Sequence, residues 1–136
     1  MRLTDIYSMP ATVVTGFLWE MLRDRDPAAN ISHQKMPTPE QHKAFVDSKP
    51  YEAWYAIEKN RSYIGTVYLS RQNEIGVFLM HGVQGRGIGS WAVQEIMRIY
   101  GPRRYLANIA PTNVKSQDFF RKLGFKLIQY TFERET

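Results

Sequence analysis

Residues Ile75 to Ser90 read IGVFLMHGVQGRGIGS: an apolar run enters a glycine-dense turn that leads without a gap into a helical pattern. Strand, turn and helix in immediate succession predict a layered α/β architecture, because the helix has to return and cover a face of the sheet. The continuous apolar character of Ile75 to Met80 predicts a central strand buried on both faces. Glycines let the backbone approach a ligand closely. Successive N–H groups in such a turn, joined by the unpaired amides of the first helical turn, form a concavity suited to pyrophosphate. The same turn also serves tight strand-to-helix packing with no ligand, so the turn alone leaves both readings open. Two familiar phosphate patterns fail. Gly82 and Gly87 have Walker A spacing, but Ile88-Gly89 stands where Lys-Ser/Thr is required. Gly85-x-Gly87 lacks the third glycine of a dinucleotide fingerprint, since position 90 is serine.

The flanking sequence extends this unit into one domain spanning 1–136. Residues 3 to 7 suggest a short first strand. From Pro10 to Arg25, Val14, Phe17, Leu18, Met21 and Leu22 follow helical spacing. Thr38-Pro39-Glu40-Gln41 has the form of a capping box that starts a second helix, which should stop before Pro50. Tyr51 to Glu58 and Ser62 to Leu69 are aromatic and β-branched, and read as an antiparallel pair. Ser90 to Tyr100 is helical and ends at Gly101-Pro102. Tyr105 to Ala110 is predicted as a strand, Val114 to Leu123 as a helix with Gly124 at C′, and Phe125 to Phe132 as a last strand. The expected order is β α α β β β α β α β, a mixed, mostly antiparallel sheet flanked by helices.

Composition narrows the chemistry. The chain contains no cysteine, which removes disulfides, thiolate metal sites and a cysteine nucleophile. Its longest apolar run is far short of the ~20 residues a membrane span needs, and the N-terminus lacks a signal pattern, so a cytoplasmic protein is expected. The net charge of +5 is unevenly placed. Residues 1–80 cancel, whereas 81–126 carry Arg86, Arg98, Arg103, Arg104, Lys115, Arg121, Lys122 and Lys126 against only Glu95 and Asp118. A basic half attracts polyanions or a phosphate-rich small ligand, and equally serves as a plain solvated face.

The pattern Gln84-x-x-Gly87-x-Gly89, between a strand and a helix, resembles the coenzyme A pyrophosphate motif of the GNAT superfamily of acyl-coenzyme A-dependent N-acyltransferases. Asn113-x-x-Ser116-x-x-Phe119-Phe120-x-x-Leu123-Gly124-Phe125 is similar to that family's late Asn-x-x-Ala/Ser helix ending in Leu-Gly-Phe. The two motifs stand in the family's order, and the resemblance spans essentially the whole chain.

The resemblance implies acetyl-coenzyme A as acyl donor, no metal, and a GNAT-like single-domain fold. It implies that the backbone amides of Gly85, Arg86, Gly87, Ile88, Gly89 and Ser90, following Gln84, cradle the pyrophosphate, with Arg86 and Lys122 adding charge-assisted hydrogen bonds. By the same analogy, backbone groups of Leu79 and Met80 pair with the pantetheine arm, and one N–H there polarises the thioester carbonyl. Asn113 matches the asparagine that contacts the cofactor arm, and reads equally well as the N-cap of the last helix. Glu74 occupies the acidic position that opens the fourth strand and acts as general base in part of the family; an exposed strand-edge carboxylate is the plain alternative. His81, His33 and His42 are lesser candidates for contact with substrate.

One departure matters. The family's usual proton donor, a tyrosine in the last helix, falls at Phe120, which has no proton to give. Ser116 or a water then takes that role, or the thiolate leaves unassisted. A second base position used by some relatives is Asn108, which leaves Glu74 as the carboxylate.

The expected acceptor is the primary amine of a small molecule such as an amino sugar. The branch resembled also includes ribosomal-protein N-terminal acetyltransferases, so a protein N-terminus or a lysine stands as the alternative. Tyr51, Trp54, Tyr55 and Tyr63 suit stacking on a sugar ring, and suit a core at least as well. A non-catalytic acyl-coenzyme A binder fits Phe120. A nucleic-acid surface fits the basic half, though no recognisable RNA motif accompanies it. Neither nucleic acid nor membrane is the expected partner, and the chain is expected as a monomer or homodimer.

Overall fold

The computed structural model describes residues 1–24 and 36–136. A four-stranded antiparallel sheet runs in the order β1-β2-β3-β4: β1 Arg2–Asp5, β2 Ala53–Lys59, β3 Ser62–Leu69 and β4 Ile75–Leu79. A 3-10 turn at Ile6–Ser8 leads into α1 Ala11–Asp24, followed by α2 Pro39–Asp47. After β4 come α3 Ile88–Tyr100 and α4 Val114–Lys122. His33 lies outside the described residues.

Helix α1 buries Val14, Phe17, Leu18 and Met21, the stripe expected from their spacing. Helix α2 starts at the expected capping box: Thr38 Oγ1 accepts from the Gln41 amide (3.2 Å), and Gln41 Oε1 accepts from the Thr38 amide (3.0 Å). Both helices belong to one core with Ile6, Trp54 and Ala56. The other face of the sheet carries a second core, in which Ile57, Val67, Leu69 and Ile75 meet Ile88, Ala92, Val93 and Ile96 of α3 and Phe120 of α4. Two layers of helix thus enclose one sheet, as the α/β reading required.

Three local expectations are corrected. Strand β4 forms the edge of the sheet and is not central. Its run is apolar on both sides because Val77 and Leu79 pack into one core while Phe78 and Met80 pack into the other. Among the described residues Tyr105 to Ala110 forms no extended ladder, and its backbone pairs with the sheet at a parallel bridge between Glu74 and Leu106. Tyr105, Ala107 and Ile109 still pack inward with strand period. Phe125 to Phe132 forms no strand, and Phe132 is 91% exposed. Alternation places side chains on two faces, but a strand also requires a neighbouring strand to pair with, and among the described residues none pairs with this segment.

Candidate active site

The turn between β4 and α3 is built on left-handed backbone, with Gly82, Gly85 and Gly87 at φ of 85°, 78° and 76°. Gly87 is the N-cap of α3 and has no side chain to satisfy the helix's first donors. The first amide of α3 to find a partner is that of Trp91, which donates to the Gly87 carbonyl at 3.0 Å. The amides of Ile88, Gly89 and Ser90 therefore point forward at the positive end of the helix. The concavity is open, since a β-carbon built on Gly85 or Gly87 would meet nothing within 4 Å. A diphosphate fits this donor set. Arg86 projects into solvent beside it. Gly89 has a separate reason to be glycine: a β-carbon there would come within 3.2 Å of the Phe119 ring.

Beside the turn lies the open edge of β4. The Met80 amide donates to the Ile64 carbonyl at 2.9 Å and the Glu74 carbonyl accepts from the Ser70 amide at 2.8 Å, so residues of that parity, Gly76 and Phe78 among them, direct their backbone groups at β3. In an antiparallel ladder the intervening residues direct both backbone groups the other way. Ile75 does so, donating to the Leu106 carbonyl at 2.7 Å. Beyond that bridge, Val77 and Leu79 face a gap. Of the two residues expected to meet the cofactor arm through the backbone, Leu79 has its amide on the open side, whereas that of Met80 is committed to β3. Gln84 serves this corner through its side chain, Nε2 donating to the Leu79 carbonyl at 3.2 Å.

Glu74 opens β4 inside a close network. Its Oε1 accepts from Ser70 Oγ at 2.9 Å, and its Oε2 accepts from Asn108 Nδ2. Ser70 Oγ in turn accepts the amides of Gln72 (3.2 Å) and Glu74 (3.0 Å). Glu74 falls on the same strand parity as Gly76, Phe78 and Met80, the face that carries Tyr51, Tyr63 and Tyr68. Tyr51 and Tyr68 stack at 3.9 Å, and the Tyr68 ring lies over Gly76, where a β-carbon would be 2.1 Å from it. These rings pack in the core as well as flooring this face. Sequence reasoning passed over Ser70, which lies in a polar turn and matches no motif.

Helix α4 contributes the far wall. Asn113 is its N-cap, with Oδ1 accepting from the Ser116 amide at 3.2 Å. Ser116 is half-buried on the first turn of the helix. Between α3 and α4 runs an open groove of about 460 Å³ whose lining includes Ser90, Lys115, Phe119 and Lys122. Lys122 and Lys115 thus line the same groove. Phe120 is not at the groove. It is 5% exposed and packs edge-on against Phe119 and Phe125, so its ring belongs to the core and Phe119 faces the groove. A helical period would have separated the adjacent pair had the inward face been known.

His81 is exposed in the turn. His42 is buried between helices, 5.6 Å from the Trp19 ring, with no hydrogen-bond partner for Nε2 among the described residues. Burial holds its pKa below the ordinary imidazole value. Among the described residues no cluster of three histidine or carboxylate groups is arranged for a metal, and no helix is long and apolar enough to cross a membrane.

The model of the acetyltransferase (GNAT) family matches residues 17–125. No curated protein matches the chain by sequence. Among solved structures, yncA from Salmonella typhimurium, a putative acetyltransferase with its cofactor acetyl-CoA, is 18% identical; the match covers 91% of this chain and 77% of that one at a TM-score of 0.64. The aminoglycoside 6'-N-acetyltransferase AAC(6')-IG from Acinetobacter haemolyticus is 12% identical over 100% and 98%, at 0.68. A ribosomal-protein-alanine N-acetyltransferase from Brucella melitensis biovar Abortus is 9% identical over 99% and 98%, at 0.65. At these identities the likeness is one of fold.

Proposed function

Because the chain belongs to the acetyltransferase (GNAT) family, we propose that it transfers an acetyl group from acetyl-coenzyme A to the primary amine of a small molecule, with Glu74 as a water-mediated general base. The observation that carries this reading is the row of amides from Ile88 to Ser90, without backbone partners among the described residues, beside the open backbone edge of Val77 and Leu79. The row binds diphosphate, with charge from Arg86 and Lys122, and the edge accepts an extended arm by main-chain pairing. Asn113 borders the arm through the amide end of its side chain.

The Leu79 amide donates to the thioester oxygen where negative charge develops. An alkyl ammonium has a pKa of about 10 and must first lose a proton. Glu74 lies three to five residues upstream of the gap, or ~10 to 16 Å along a strand, so that proton travels through water. The free amine then attacks the carbonyl carbon, the C–N bond forms and the C–S bond breaks. Of the two protons the nitrogen sheds, one reaches solvent by way of Glu74 and the other joins the departing sulfur. With Phe120 in the core, the second proton comes by way of Ser116 or water, which a thiol of pKa about 8.5 tolerates.

The aromatic face shared by Glu74 suits an acceptor with a flat or ring-shaped body, hence an amino sugar before a peptide. The test is free-thiol release from acetyl-coenzyme A with glucosamine, an aminoglycoside, an alanine-initiated peptide and a lysine peptide. Turnover with the sugars supports the reading, faster turnover with a peptide transfers it to protein substrates, and no turnover with any amine overturns it. Glu74→Gln is expected to lower kcat about 10²-fold while leaving coenzyme A affinity unchanged.

A further inference from the structure

Both carboxylate oxygens of Glu74 are held, and the two holders come from different parts of the chain. Ser70 directly follows β3 and is 7% exposed. Its oxygen accepts two amide hydrogens, from Gln72 and Glu74, which occupy both lone pairs. Its single hydrogen is therefore committed to Glu74 Oε1. Asn108 lies in the segment after α3, and its Nδ2 donates to Oε2. That segment is fixed to the same spot by the Leu106 amide donating to the Asn73 carbonyl (2.9 Å) and the Ile75 amide donating to the Leu106 carbonyl.

We propose that Ser70 and Asn108 are positioning residues for the general base: together they fix the Glu74 carboxylate where the 105–110 segment is bridged to the start of β4, below the gap. The proposal rests on the reading of Glu74 as base. Each carboxylate oxygen has two acceptor directions, so one hydrogen bond apiece leaves a direction on each for water. The grip consists of neutral donors only. The nearby cations are engaged elsewhere, Arg71 with the carbonyls of Lys49 and Pro50, and Arg103 with Glu52 and Asn73. Among the described residues Glu74 has no ion-pair partner. The hydroxyl and the amide thus fix the carboxylate in place and leave it open to water.

The experiment compares Glu74→Gln, Ser70→Ala and Asn108→Ala in the full chain, with acetyl-coenzyme A and the fastest amine of the panel above. Ser70→Ala and Asn108→Ala are each expected to lower kcat about ten-fold, with KM for acetyl-coenzyme A unchanged. The acidic limb of their pH–rate profiles should move to higher pH, because the ionised carboxylate has lost a donor. Asn108→Asp should move that limb further by placing a second carboxylate against the first. Full turnover in Glu74→Gln overturns the base itself. Loss in Glu74→Gln with wild-type kcat and an unmoved pH limb in the other variants overturns the positioning role alone. Asn108 is exposed, so its variants decide the matter if the buried Ser70 cannot be replaced without unfolding.

Discussion

Across the ladder between β3 and β4, Gly65 pairs with Leu79 and lies so close to the preceding Phe78 that a β-carbon on Gly65 would lie 2.5 Å from the Phe78 carbonyl oxygen. The obstacle is backbone and cannot rotate away. At Gly76 the obstacle is the outer end of the Tyr68 ring, 2.1 Å away, which moves if its stack on Tyr51 is given up.

Gly65→Ala is therefore expected to be the more damaging substitution, at about 2 to 3 kcal/mol, with Gly76→Ala at about 1 kcal/mol. Urea denaturation of both variants checks the order. Equal losses would mean that β4 shifts as a unit.

Restoring a tyrosine at Phe120 should not restore a proton donor. The ring is enclosed by Phe119 and Phe125, so the new hydroxyl would be buried without a partner. Phe120→Tyr is expected to cost about 1 to 3 kcal/mol in stability and to leave kcat unchanged. A rise in turnover would show that the ring reaches the groove.

The basic rim should act through screened charge. Arg86→Ala and Lys122→Ala are each expected to raise the Kd for coenzyme A about 2- to 5-fold at low salt, with most of the effect gone near 1 M salt. Calorimetry at two ionic strengths checks this. Gly87→Ala acts differently. Its φ of 76° is costly for an L side chain, about 1 kcal/mol, and salt should not rescue the affinity it loses.

His42 gives the fold a pH dependence whose sign follows from burial. Its folded pKa is depressed, so below the unfolded imidazole value of about 6.5 the unfolded chain binds a proton that the buried ring refuses. This contribution is complete above that pH and is lost as the pH falls through it. Urea midpoints between pH 5 and 8 should decline on the acid side in the wild type, and decline less in His42→Gln.

Much of the site could be read along the chain. Gly85, Gly87 and Ile88 to Ser90 are contiguous, and a strand–turn–helix unit makes its own donor array from local backbone geometry. Asn113 was legible both as a cap and as a motif residue for the same reason. Ser70 and Asn108 were not, since a hydroxyl in a turn and an amide 38 positions later acquire meaning only when the 105–110 segment is bridged to the start of β4. Phe119 and Phe120 could not be told apart, because adjacent aromatics differ only in which helix face turns inward.

Local pattern along the chain specified the helices, through their apolar stripes and the Thr38 capping box, and the glycine-rich turn after β4, through glycines that accept left-handed backbone cheaply. These are local choices, made within a few residues. Long-range pairing set β4 at the edge of the sheet, turned the Leu79 amide to the gap and the Met80 amide to β3, and left Phe125 to Phe132 without a strand partner among the described residues. Each depends on which backbone groups find partners from distant parts of the chain, and hydrogen-bond pairing between strands is absent from a pattern of side chains.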